Sequence, residues 1–207
     1  DLLYTQALAE YPAAEFHAAA HSNGTYILSQ AMKSIEAIKF NRLMLGGCVL
    51  PRDFDWHLIW ARRQVKVIRH DFTRTDRVVA ILCSALAGAG RDDVGTAGYN
   101  QFNSCPEELH ENELSEGGHG AAFDSEDDLT SIARFLLDGE EAQRSDLRPP
   151  GRVFPGLLSR MATIMWVVLL IILAGVTVCG LALGGPLAGL LALLCASSGI
   201  AYFLHVL

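Results

Sequence analysis

The chain has 207 residues, enough for one or two domains, and a formal net charge of −7 with no basic stripe anywhere, which argues against nucleic acid as a partner. Five cysteines (Cys48, Cys83, Cys105, Cys179, Cys195) stand singly, without a C-x-x-C pair, so neither a disulfide framework nor a zinc site is indicated and no metal or cofactor is implied. Hydrophobic residues make up 51% but are unevenly spread: up to about residue 157 the chain reads as a soluble α/β domain, and beyond it the chain is almost continuously apolar.

In chain order, residues 2–10 carry Leu2, Leu3, Ala7 and Leu8 at helical spacing and stop before Pro12, which predicts a helix. Residues 16–20 form a short apolar strand. A turn, His21-Ser22-Asn23-Gly24, leads into a helix over 25–37 whose apolar positions are Tyr26, Ile27, Met32 and Ile35. Residues 42–50, with Leu43-Met44-Leu45 at their centre, read as a buried strand ending at Pro51. The short polar and aromatic stretch 52–63 leads to a strand over 64–70, and residues 76–86 begin a strongly apolar helix. Strands and helices alternating at this pitch argue for a mostly parallel sheet flanked by helices.

Residues 95–102 are a glycine-punctuated loop without phosphate-binding spacing, so no nucleotide role attaches to it. Residues 105–116 are acidic and read as a solvated loop. The Gly117-Gly118-His119-Gly120 loop follows, then a helix over about 125–137 whose acidic start (Glu126, Asp127, Asp128) suits the positive end of the helix dipole. Residues 141–157 are charged and then Pro/Gly-rich, a linker by composition.

The segment Ala20-His21-Ser22-Asn23-Gly24 combines a small residue, a central serine and a glycine between a strand and a helix, the pattern of a nucleophile elbow. Such a turn holds a hydroxyl at the top of a sheet and at a helix N-terminus, where backbone N–H groups favour a developing oxyanion. A serine nucleophile needs a base, and the base needs an acid to orient it. Downstream, Asp76 lies in a loop after a strand and directly before a helix, with Asp71 as the second choice. His119, flanked by glycines, fills no core and suits the base. His21 sits inside the turn, where it shapes the pocket or hydrogen-bonds the turn, while His17, His57, His70 and His110 read as surface or satisfied core residues.

On the elbow at 20–24, Asp76 and the Gly118-His119-Gly120 loop, in that order, residues 1–140 resemble the C-terminal half of an α/β-hydrolase fold serine hydrolase. The resemblance implies acyl chemistry on an ester or related carbonyl: Ser22 attacks, His119 acts as base and then acid, Asp76 orients it, and the backbone N–H of Asn23 serves the oxyanion hole. A serine at the elbow disfavours the epoxide-hydrolase and dehalogenase branches, which carry aspartate there. The first strands of that fold, and the loop giving a second oxyanion donor, have no counterpart, so the chain reads as a fragment with an unpaired sheet edge and diminished activity alone. The stretch 51–63 leaves no room for an inserted cap domain, so the expected site is open and shallow.

The tail, 158–207, reads as a transmembrane helical hairpin. Residues 161–183 are uncharged and long enough for a hydrocarbon core of about 30 Å. Gly184-Gly185-Pro186 turns the chain, and 187–207 form a second apolar run. Trp166 and Tyr202 suit interfacial anchors, and small residues such as Gly175, Gly180, Ala188 and Ala192 allow close helix approach. Arg148, Arg152 and Arg160 before the first run put the preceding domain on the cytoplasmic face. The expected partners are therefore the lipid bilayer and a small or lipid-like acyl substrate. A reading of a different class is a non-catalytic, membrane-anchored scaffold built on a degenerate hydrolase domain.

Overall fold

The computed structural model describes residues 2–88, 90–115 and 117–140, with six further positions between 171 and 178. The linker expected over 141–157 and the hairpin expected over 158–207 fall outside the described residues except at those six positions. Among the described residues no helix is long and apolar enough to cross a membrane.

The fold is α/β: a four-stranded, all-parallel sheet with helices against it. Helix α1 (Leu2–Glu10) precedes β1 (His17–His21); α2 (Asn23–Ser34) leads to β2 (Phe40–Gly46); α3 (Trp56–Ala61) leads to β3 (Val65–Phe72). A helical stretch that is π-helical over Val79–Cys83 continues as α4 (Ser84–Gly88), and β4 (Leu109–Glu113) and α5 (Glu126–Asp138) follow. The strand order β1-β2-β3-β4 follows the chain, so every crossover returns to the neighbouring position.

Strand β2 is buried on both faces, as parallel strands covered by helices are. Leu43 and Leu45 enter the main core with Met32, Ile59 and Ile68, while Met44 enters a second cluster with Ile132 and Phe135 of α5. The alternation follows from the two-residue period of a strand. Strand β1 is an edge strand with Ala19 exposed, and α1 buries no residue.

Local chemistry sets where the helices end. Helix α2 stops at Ser34 rather than running to Ala37, because Ile35 is extended (φ −128°) and Gln64, fully buried, turns its side-chain amide onto the carbonyls of Met32, Ile35 and Ile38. Those interactions satisfy carbonyls that a helix end leaves unpaired. Helix α3, within the polar and aromatic stretch 52–63 to which no element was assigned, is started by Asp55, whose carboxylate accepts from the Leu58 N–H. Helix α5 starts at a Ser125 cap and ends at Gly139 in a left-handed conformation. Arg42 of β2 donates to the carbonyls of Leu136 and Leu137 at that end, which ties α5 to the sheet.

A second expectation is corrected. The acidic stretch 105–116, read as a solvated loop, contains β4. Its pairing partner is β3, with Asp71 opposite Asn112 and Phe72 opposite Glu113. Glu111 is buried, accepting from the Phe102 N–H (2.7 Å) and paired with His70 (3.1 Å). A strand whose acidic residue is satisfied internally carries no hydrophobic alternation to announce it.

Candidate active site

Three loops at the C-terminal ends of the parallel strands converge, the usual place for a ligand site in an open α/β sheet. They follow β1, β3 and β4. The expectation-bearing residues Ser22, Asp76 and His119 stand one in each loop.

Ser22 lies between β1 and α2 with φ 53° and ψ −128°. That is a conformation an L-residue holds at a cost of order 1–3 kcal/mol unless surrounding contacts enforce it. Here they do: the Ser22 N–H donates to the Gly46 carbonyl of β2 (3.1 Å), and its carbonyl accepts from the Thr25 N–H (2.9 Å) and hydroxyl (2.6 Å). Thr25, fully buried, in turn accepts from the Val49 N–H (3.2 Å), so the turn is braced against the segment after β2. Serine is a favoured helix N-cap, yet Ser22 makes no side-chain capping bond. Its hydroxyl is directed to His119 Nε2, 2.7 Å away.

Asp76 is fully buried, and both of its carboxylate oxygens are used. Oδ1 accepts from the Val79 N–H (2.9 Å), starting the helix that follows, and Oδ2 accepts from His119 Nδ1 (2.9 Å). An acceptor on Nδ1 assigns the imidazole tautomer: Nδ1 carries the proton and Nε2 is left to accept from Ser22.

His119 is delivered by β4. The Leu114 N–H donates to the Phe72 carbonyl (2.8 Å), and the chain then turns back through Gly117 (φ 105°) over the end of the sheet. The Thr75 hydroxyl donates to the Gly117 carbonyl, joining the acid loop to the histidine loop. Position 46 favours glycine, since a Cβ there would stand 2.7 Å from the Phe123 ring and 2.9 Å from the Ala122 methyl and would push them aside. Position 47 is more demanding: φ is 53°, and a Cβ would stand 2.8 Å from the His119 carbonyl oxygen.

The remaining candidates fall elsewhere. Asp71, the second choice of acid, is committed to Arg69, which donates to both its oxygens (2.8 and 2.7 Å), with Asn112 adding a third contact (3.3 Å). It makes no bond to His119. Asn23 is exposed as the first residue of α2, where backbone N–H groups have no partner within the helix. His21 packs on His119, with Nε2 2.9 Å from the His119 carbonyl oxygen. Close backbone approach does not require the glycine two residues after the serine, since a Cβ on Gly24 would meet nothing within 4 Å. Thr25, Gly46, Gly47 and Thr75 had no role in the sequence reading. Only the Gly46-Gly47 pair at a strand end offered a signal.

Two other ionisable groups border this region. Cys83, on the helix after Asp76, has its thiol pushed up to about 12 by burial, with Asp76 and Cys48 adding to the rise, so it is no nucleophile at neutral pH. His70, fully buried, is lowered by burial but raised more strongly by Cys48 and Glu111, to about 9. Nδ1 stands 3.1 Å from Glu111 Oε1, a buried pairing that favours the charged ring. Among the described residues no group of three His, Cys, Asp or Glu side chains could hold a metal ion.

The arrangement can raise the nucleophilicity of a hydroxyl at neutral pH. Comparison with protein-family models, with curated proteins and with solved structures found no match.

Proposed function

We propose that this chain is a serine hydrolase of the α/β-hydrolase type that cleaves an ester or related acyl bond through a covalent acyl-enzyme. The observation that carries the reading is the unbroken chain Ser22 Oγ–His119 Nε2 (2.7 Å) and His119 Nδ1–Asp76 Oδ2 (2.9 Å), built on a serine held at positive φ between a strand and a helix. An observed backbone outlier at a convergence of acid, base and nucleophile is a pointer to function.

In this reading Ser22 Oγ attacks the acyl carbonyl as His119 Nε2 takes its proton. Asp76 holds the Nδ1–H and stabilises the imidazolium without itself becoming protonated. The Asn23 N–H, at the positive end of α2, donates to the oxyanion. The imidazolium returns its proton to the leaving alcohol. Water, deprotonated by His119, then releases the acid and restores Ser22.

The two uncharged runs 161–183 and 187–207 support a membrane anchor, with the hydrolase domain on the cytoplasmic side and a hydrophobic or lipid-derived ester as the matching substrate class. The test is turnover of p-nitrophenyl esters of short and long acyl chains by the full chain. Ser22→Ala is expected to lower kcat/KM by on the order of 10³-fold or more. Wild-type turnover no faster than buffer, or a Ser22→Ala variant as active as wild type, would remove the reading.

A further inference from the structure

We infer that His21 is a positioning residue for His119, the part that locks the base loop onto the nucleophile turn; the inference rests on the function proposed above. The bond that carries it joins His21 Nε2 to the His119 carbonyl oxygen at 2.9 Å. A carbonyl only accepts, so Nε2 carries the proton and donates. The His21 ring is held between two others, His119 at 4.8 Å between centroids and Phe123 at 5.2 Å, edge-on at 71°.

The contact is possible because position 47 has no side chain. A Cβ on Gly47 would stand 2.9 Å from His21 Nε2 and 2.8 Å from the His119 carbonyl oxygen, crowding both ends of the bond. With this bond His119 is fixed at three atoms, two on the ring and one on the backbone: Nε2 by Ser22, Nδ1 by Asp76 and the carbonyl oxygen by His21.

The backbone anchor matters because the loop is glycine-rich. Gly117, Gly118 and Gly120 surround His119, and glycine brings the widest range of backbone conformations. Turn bonds within the loop, from the Ala121 N–H to the Gly118 carbonyl (3.2 Å) and from the Phe123 N–H to the Gly120 carbonyl (2.7 Å), shape it locally, while Thr75 to the Gly117 carbonyl and His21 to the His119 carbonyl tie it to other parts of the fold. His21 is the chain neighbour of Ser22, so its bond ties the base directly to the turn carrying the nucleophile. Displacing a reacting group by about 1 Å can cost on the order of 10² in rate.

The test compares wild-type full chain with His21→Phe and His21→Gln. Phenylalanine keeps the ring packing and removes the donor; the glutamine amide nitrogen can stand where Nε2 stands and restores it. The readouts are kcat and KM for a p-nitrophenyl ester, and the far-downfield proton resonance of the His119 Nδ1–H bonded to Asp76. His21→Phe is expected to lower kcat by about 10-fold to 10²-fold with KM changed less than about twofold. It should also broaden or abolish the resonance, and His21→Gln should recover both. A His21→Phe variant with wild-type kcat and resonance, or a folded His21→Gln variant no better than His21→Phe, would overturn the inference. If the wild type turns over no ester, the proposed function fails while the resonance, which needs no substrate, still decides the role of His21.

Discussion

Ser22 and His119 lie 97 positions apart in the chain, and their side chains meet at 2.7 Å across the ends of two strands that are not neighbours in the sheet. That meeting depends on β4, which carries the chain back along β3 and releases it at the same end of the sheet as Ser22.

Asp76 and Asp71 are both buried acids following or ending β3, and their substitution should have opposite signatures. Asp76→Asn keeps an oxygen for the Val79 N–H but opposes a donor to His119 Nδ1, favouring the wrong tautomer. Its kcat should fall on the order of 10⁴-fold with little change in thermal midpoint. Asp71→Asn leaves the Arg69 guanidinium, 6% exposed, without its full counter-charge, and should cost about 3–5 kcal/mol of stability. The folded fraction should keep its activity. Parallel kinetics and urea melts separate the two.

Two glycines near Ser22 should also behave oppositely. Gly24 lies in α2 with open space around its Cβ position, so Gly24→Ala should stabilise the chain by about 0.5–1 kcal/mol through helix propensity. Gly47→Ala puts an alanine at φ 53°, at about 1–2 kcal/mol, and drives its methyl against the His119 carbonyl. The thermal midpoint should rise for the first and fall for the second. Only Gly47→Ala should lose turnover beyond what its loss of folded protein explains.

His70 makes the sheet sensitive to alkali. Its folded pKa, about 9, stands above the unfolded value of 6.5, so the charged ring is favoured by folding. The stabilisation is therefore complete below about 6.5 and is lost as pH rises through about 9. Urea midpoints measured from pH 6 to 10 should fall across that window, and His70→Gln should flatten the fall. An unchanged profile in His70→Gln would assign the alkaline loss to another group.

Much of the fold was legible because its elements obey local rules. The run Leu43-Met44-Leu45 announces a buried parallel strand, and α5 is bracketed by the Ser125 cap, three acids and Gly139. Strand β4 was hidden because Leu109-His110-Glu111-Asn112-Glu113 carries its acid inward, a choice that only His70 and the Phe102 N–H make tolerable. The end of α2 was misplaced because the side chain that caps it, Gln64, arrives from the residue just before β3. At the site, the order Ser22, Asp76, His119 is visible in the chain. The commitment of Asp71 was missed because the strand was ended at residue 70; with β3 running to Phe72, Arg69 and Asp71 share a face of the strand and pair there. The roles of His21 and Gly47 were not visible, because both arise only where the loop after β4 folds over the end of β2.

The most direct measurement is covalent labelling of the full chain with a fluorophosphonate, followed by peptide mass spectrometry to locate the adduct. The account predicts a single phosphonylated residue, Ser22, with labelling abolished in Ser22→Ala and strongly slowed in His119→Ala. A folded chain that stays unlabelled, or that carries the adduct on another residue with Ser22 unmodified, would contradict it.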